Sequence, residues 1–195
     1  LLYQAQGDYT EAEPLYRRSL AIYEKALGPE HFFLAQSLNN LAGLYTAQGN
    51  YAEAAPLFQR SLAIREKALG PEHPDVGASL NNLAELYKTL GNYAEAELLY
   101  RRSLAIDEEA LGPEHPYVAT DLNNLAGLYQ AQGKYAEAEL LYQRSLAIVE
   151  KVLGPDHPDV ATILENYAAP LRETGRADEA TKMEARAKAI RAKQE

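Results

Sequence analysis

Gly7, Gly49, Gly91, Gly133 and Gly175 stand 42 residues apart, each from the next. The segments LGPEHF (27–32), LGPEHP (69–74), LGPEHP (111–116) and LGPDHP (153–158) keep the same step. Set position against position, residues 68–109 and 110–151 agree at 30 of 42 places. A chain that copies itself at such a period does not wrap one core out of unrelated segments. It builds equivalent units, each too small to bury its own apolar face, and stacks them so that neighbours cover one another.

Within a period the apolar spacing is helical. Leu38, Leu41, Ala42 and Tyr45 fall at i, i+3, i+4 and i+7 and predict a first helix, A. Tyr51, Ala54, Phe58 and Leu62 predict a second helix, B, running on to Leu69. Gly49 breaks the chain between them, as a left-handed residue at a helix end does. Gly70 and Pro71 stop helix B, Pro74 pre-sets φ for the next helix A, and His73 before it is pushed extended. The expected fold class is all-α, a solenoid of antiparallel helix pairs forming a single array over 1–195. Its parts are a partial first repeat in 1–26 (mainly helix B), repeats over 33–69, 75–111 and 117–153, and a divergent C-terminal repeat over 159–192 ending in a capping helix.

Both ends depart from the pattern. In the last repeat LENYAAPL (164–171) replaces LNNLAGLY, and Pro170 is predicted to kink or shorten that helix. The final helix keeps only Met183, Ala187 and Ile190 as an apolar stripe, which suits a cap with a polar outer face. Residues 1–6 hold only the tail of a first helix A, so Tyr9, Ala12 and Tyr16 are expected to be poorly covered. That apolar edge would take preceding repeats or another copy, giving end-to-end self-association through the incomplete repeat. The chain also opens on LLYQAQG without an initiator methionine, which fits a piece of a longer protein.

The pattern Leu38, Leu41, Ala42, Tyr45, Gly49, Tyr51, Ala54, Phe58 resembles the tetratricopeptide repeat (TPR), with Leu38 where that family often has Trp. The 42-residue length, the LNNLA-LY core and the LGPEHP linker are similar, more narrowly, to the kinesin-light-chain type of this repeat. The resemblance spans essentially the whole chain. It implies a right-handed superhelix with helix A lining the concave wall and helix B outside, and helix-A asparagines that hold bound peptides. No heptad segment of the kind by which light chains join the motor stands in the chain, so no motor role is read from it.

Composition closes off other classes. With 19 basic and 28 acidic residues the formal net charge is −9, which repels phosphate backbones, and no basic run offsets it. Nucleic-acid binding is therefore not expected. Cysteine is absent, so disulfides and thiolate metal sites are out of reach. No apolar run approaches the roughly 18 residues of a membrane span and no signal peptide is evident. The expected compartment is cytoplasmic.

Candidates for chemistry are few. His31, His73, His115 and His157 belong to four different loops, at least a helix-packing distance of roughly 8–10 Å apart, whereas ligands of one zinc lie about 2 Å from it. Loop ordering or capping is the expected role, and no metal is expected. Glu53 and Glu95 sit where a helix dipole favours acids. Arg18, Arg60, Arg102 and Arg144 suit a solvated outer face or inter-repeat ion pairs. No nucleophile set, phosphate-cradling loop or dinucleotide fingerprint occurs, so neither an enzyme nor a cofactor is expected.

The doublets Asn39–Asn40, Asn81–Asn82 and Asn123–Asn124, with Asn166 in the last repeat, are the better candidates. At about 100° per residue, Asn39 points about 100° from the core stripe and Asn40 nearly opposite it. Gly43, Glu85, Lys88, Gln130, Ala131 and Arg172 share that sector. A carboxamide both donates and accepts, so it can pair with the main chain of an extended peptide without demanding a particular side chain. Specificity would come from Glu85, Lys88, Glu165, Arg172 and Glu173. Only Lys88 and Arg172 are basic there, too few for the family's carboxylate clamp, so strong selection of a C-terminal carboxylate is not expected. The competing role for the asparagines is hydrogen bonding to the next helix, which would stabilise stacking. The expected function is a protein–protein interaction scaffold binding an extended peptide or protein segment in the groove. The alternative is a structural spacer or self-assembling module of a larger multidomain protein, with an empty groove.

Overall fold

The computed structural model describes residues 9–194, with side chains from Ala12 onward. Among these residues all regular structure is helical: α1 (Tyr9–Leu27), α2 (Phe32–Ala47), α3 (Tyr51–Leu69), α4 (Pro74–Thr89), α5 (Tyr93–Leu111), α6 (Pro116–Ala131), α7 (Tyr135–Leu153), α8 (Pro158–Glu173) and α9 (Ala177–Arg191). Even-numbered helices are the expected A helices and odd-numbered ones the B helices. Two compact units, Leu1–Leu99 and Tyr100–Glu195, divide within α5.

The A-to-B turn is a paired hydrogen-bond ending. The Gly49 N–H donates to the Thr46 carbonyl at 3.0 Å and the Asn50 N–H to the Tyr45 carbonyl at 2.8 Å. With Gly49 at φ 78°, this is the Schellman arrangement, and a residue without Cβ takes that φ freely. The bond from C″ to C3 recurs as Asn92 to Tyr87 (2.9 Å), Lys134 to Tyr129 (2.8 Å) and Arg176 to Leu171 (2.8 Å).

The B-to-A loop shows what each letter of LGPEHP does. Histidine is the N-cap of the next A helix: Nδ1 of His31, His73, His115 and His157 accepts from the N–H two residues on, at 3.3, 3.1, 3.2 and 3.2 Å. The ring nitrogen stands where a Ser or Asp oxygen usually caps, satisfying one otherwise orphaned donor. Each histidine thus serves its own helix start. The proline carbonyl and the acidic residue receive the following B helix. Arg60 donates to the Pro29 carbonyl at 2.9 Å and pairs with Glu24 at 2.7 Å, while Lys67 pairs with Glu30. Arg144 repeats this on Pro113 and Glu108, Lys151 on Glu114, Arg186 on Pro155 and Glu150, and Lys193 on Asp156. The arginine pairs are half exposed and the lysine pairs more so, so solvent screening leaves each of them weak; their value lies in fixing register. The expected ion-pair role of the helix-B arginines is met at Arg60 and Arg144.

In the first unit Leu34, Ala35 and Leu38 bury Ile64, while Leu41, Ala42, Leu44 and Tyr45 pack with Ala54, Phe58, Leu83 and Leu86. Ala12 joins this core and Tyr16 packs half-buried against it, contrary to the expected exposed edge at those two positions. The Tyr9 side chain lies outside the described residues. The apolar exposure on α1 falls instead at Leu15 and Ile22, each 54% accessible, whereas Ile64, one period after Ile22, is at 5%. Ile64 is covered by the A helix of its own repeat, and the described residues hold no A helix ahead of α1.

In the second unit Leu122, Leu125, Ala126, Leu128 and Tyr129 are buried on α6, with Tyr142 and Ile148 on α7. Pro170 does not shorten α8, which keeps the 16 residues of α2, α4 and α6. It lies in the last turn, buried where Leu44, Leu86 and Leu128 stand in earlier repeats, so it costs one bond near a helix end and still fills the core. Tyr167 and Leu171 take the places of leucine and tyrosine in LNNLAGLY, an exchange that stacks Tyr167 on Tyr142 with ring centroids 5.8 Å apart. Burial pushes the Tyr142 and Tyr167 hydroxyls up to about 12. On α9, Ala187, Ile190 and Ala180 are buried and Met183 half-buried, as a cap requires.

The Tyr167 hydroxyl donates to Glu139 at 2.6 Å, and together with Arg176 at 2.7 Å it holds that carboxyl below its ordinary range. On acidification the unfolded chain therefore takes up this proton first. The stabilisation is complete above the unfolded value of about 4.3 and is lost as pH falls through the lower folded one. Between about pH 5 and 3, chemical denaturation of Glu139→Gln should show a shallower fall in unfolding free energy than the parent chain. Parallel pH curves for the two proteins would sink this assignment.

Candidate functional site

The asparagine doublets lie on the A helices, on the side away from the buried leucines, and the structure joins them in a specific register. In the first unit Asn82 Nδ2 donates to Asn39 Oδ1 at 2.9 Å. In the second, Asn166 Nδ2 donates to Asn123 Oδ1 at 3.1 Å. The second asparagine of one A helix thus reaches back to the first asparagine of the preceding A helix. Asn40 Oδ1 accepts from Gln36 Nε2 at 2.9 Å within α2. For Asn39, Asn82, Asn123 and Asn166 the bond consumes one half of the carboxamide and leaves the other half, an amide or a carbonyl, unspent among the described residues. Asn82 is exposed, and Asn39, Asn40, Asn81, Asn123, Asn124 and Asn166 are half-buried.

Four of the five charges expected to tune the face, Glu85, Lys88, Glu165 and Arg172, are already paired. Lys88 bonds Glu85 at 2.6 Å one turn before it. Arg172 forks onto Glu184 of α9 at 3.0 and 2.6 Å, and Glu165 receives Arg191 at 2.8 and 2.7 Å. That fork holds the Glu165 carboxyl below its usual range. Gln130 Oε1 accepts from the Tyr142 hydroxyl at 3.1 Å.

A feature outside the expected set forms the floor of the face. In the second unit a cleft of about 280 Å³ opens between α6 and α8 over Val149 of α7. Val149, Ile163 and Ala119 line it, with Asn123, Asn124 and Asp159 also on its wall. One period earlier than Val149 is Asp107, buried, its carboxyl raised by that burial against the opposing pull of His115. Two periods earlier is Arg65, also buried, on the floor of the α2–α4 face. A second cleft, about 510 Å³, lies between α1 and α3 and includes Leu41, Tyr45 and Pro56.

The tetratricopeptide repeat family profile matches residues 1–67, 33–109, 99–151 and 117–193. The chain belongs to the tetratricopeptide repeat family. Its 42-residue units are of the kinesin-light-chain-like kind. The chain is 30% identical to BtubC (BKLC) from P. vanneervenii, over 99% of this chain and 77% of that one, with a TM-score of 0.81. It is 34% identical to a kinesin-light-chain-type protein of nearly identical TPR-like repeats from Podosopora anserina, over 99% and 92%, with a TM-score of 0.77. MamA, at 15% identity and a TM-score of 0.61 over 98% and 94%, shares the fold. No curated protein matches the sequence.

This tetratricopeptide array is therefore an all-α solenoid fold. TPR repeats are in general protein–protein interaction modules, and the fold is typically a non-enzymatic scaffold. No helix among the described residues is long and apolar enough to cross a membrane. The TPR pattern itself hides the floor residues, because it records what the repeats share. Their signal was in the sequence: within RSLAIREKAL, RSLAIDEEAL and RSLAIVEKVL, the sixth residue changes from Arg65 to Asp107 to Val149 inside an otherwise near-constant segment.

Proposed function

We propose that the chain binds an extended peptide or protein segment along its A-helix faces, with the asparagine ladders holding the ligand's main chain. The observation that carries this reading is the ladder geometry. Asn39–Asn82 and Asn123–Asn166 are positioned by bonds to each other, so their rotamers are fixed before a ligand arrives, and each keeps an unspent donor or acceptor. Pre-set amide groups cost less ordering on binding than free ones. The half-buried Asn40 and Asn81 extend the A-helix face of the first unit and Asn124 that of the second. Glu85, Lys88, Gln130 and Arg172, engaged with partners inside the chain, shape the face rather than supply open charges.

The other reading, a spacer with an empty groove, draws on the same bonds as stacking contacts alone. A displayed library of short random peptides, captured on the intact chain and on the Asn39→Ala/Asn123→Ala variant, separates the two. Peptide affinity should fall by about tenfold or more, and each lost Asn–Asn bond should cost about 0.5–1.5 kcal/mol of stability. Unchanged affinity, or no peptide captured by the parent chain, would return the ladder to a stacking role.

A further inference from the structure

The floor of the α2–α4 face carries a cation without a counter-ion. Arg65 is 6% exposed. Its Nη1 donates to the Asp75 carbonyl and the Ser79 hydroxyl, both at 2.9 Å, and its Nη2 donates to Gln36 Oε1 at 2.9 Å. Nε is buried and has no hydrogen-bond partner. Among the described residues no carboxylate lies within ion-pair distance of this guanidinium; Asp75 attracts it only from further off. Every one of its bonds goes to a neutral oxygen, an expensive state for a buried charge.

The unmet part of Arg65 has a definite shape. Nε–H and one Nη2–H lie parallel on one edge of a guanidinium, spaced to match the two oxygens of a carboxylate. On that edge Nε is bare and Nη2 is held by Gln36, an exposed side chain able to swing aside. Gln36 in turn bonds Asn40, so the arginine sits directly beneath the asparagine face. We propose that Arg65 takes the side-chain carboxylate of an Asp or Glu in the bound segment, which displaces the Gln36 amide oxygen and fills Nε and Nη2 together. This rests on the groove reading above and adds a side-chain requirement to it.

The second unit shows the same place without the charge. Val149, Ile163 and Thr120 stand where Arg65, Ser79 and Gln36 do, while Asp159 matches Asp75. There the floor is apolar and an open cleft remains. Three residues therefore separate a charged floor from an apolar one, and the repeat folds with either set.

The test uses short random peptides with amidated C-termini, so that any carboxylate preference comes from side chains. The parent chain should enrich Asp or Glu at one position. Changing that residue to Asn or Gln in a captured peptide should weaken binding about tenfold or more. On the variant Arg65→Val/Ser79→Ile/Gln36→Thr the same peptide change should make no difference. Conversely, Val149→Arg/Ile163→Ser/Thr120→Gln should create a new acidic preference. Arg65→Lys, which keeps the charge but loses the fork, should retain only part of the selectivity, and it gives a readout if the triple variant does not fold. Peptides captured without acidic enrichment, or enrichment that survives in the variants, would overturn the assignment and leave the groove reading standing. A parent chain that captures no peptide overturns both.

Discussion

Leu122→Ala should lower the unfolding free energy by about 2–5 kcal/mol, while Asn123→Ala beside it should cost only about 0.5–1.5 kcal/mol. Leu122 is fully buried, among the larger side chains with no accessible surface, and its truncation leaves a hole between close-packed helices. Asn123 loses one hydrogen bond, to Asn166, on a half-buried face. Two consecutive residues of one helix thus report on its two faces: one builds the stack, the other looks away from it. Urea denaturation of both single variants measures the contrast. Similar losses for the two would mean that the asparagine face is part of the core, which would also weaken the case for a binding role. Because repeat stability is a sum of local units and their interfaces, the Leu122 effect should extend to the unfolding of adjoining repeats.

What the sequence made legible follows from repetition. Helix placement, the left-handed glycines, the capping histidines and the buried stripe of Leu38, Leu41, Ala42 and Tyr45 all depend on local spacing, and local spacing was copied several times over. Partnering was not legible in the same way. Arg172 read as an open groove charge because its partner, Glu184, lies on the next helix and follows a turn whose geometry decides the pairing. Glu165 and Arg191 are the same case from the acidic side. Pro170 read as a break because the rule for helix interiors is strict, yet in the last turn few bonds remain to be lost and the ring fills a leucine's place. The asparagine register also depends on tertiary packing. Sequence spacing places both members of a doublet on the outer side of the helix, but only the crossing of neighbouring A helices decides that the second of one pair meets the first of the other.

Glycine-to-alanine changes at two sites of the first unit should move stability in opposite directions. Gly70 ends α3 at φ 89° and ψ 155°, a conformation open almost only to glycine. A Cβ there would meet nothing within 4 Å, so the penalty of Gly70→Ala is backbone strain alone, about 1–3 kcal/mol. Gly43 lies inside α2, where glycine wastes conformational entropy, and a Cβ there also meets nothing within 4 Å. Gly43→Ala should therefore raise stability by about 0.5–1 kcal/mol. Thermal unfolding of the two variants reads both signs. The second carries a functional consequence, because Gly43 is one turn on from Asn39 and Asn40 on the same side of α2. If a ligand's main chain runs over that helix, the methyl that stabilises the fold occupies space the ligand needs, so peptide affinity should fall as stability rises. A variant that gains stability and binds as tightly as the parent would place the ligand's path away from α2, and with it the role of Asn39.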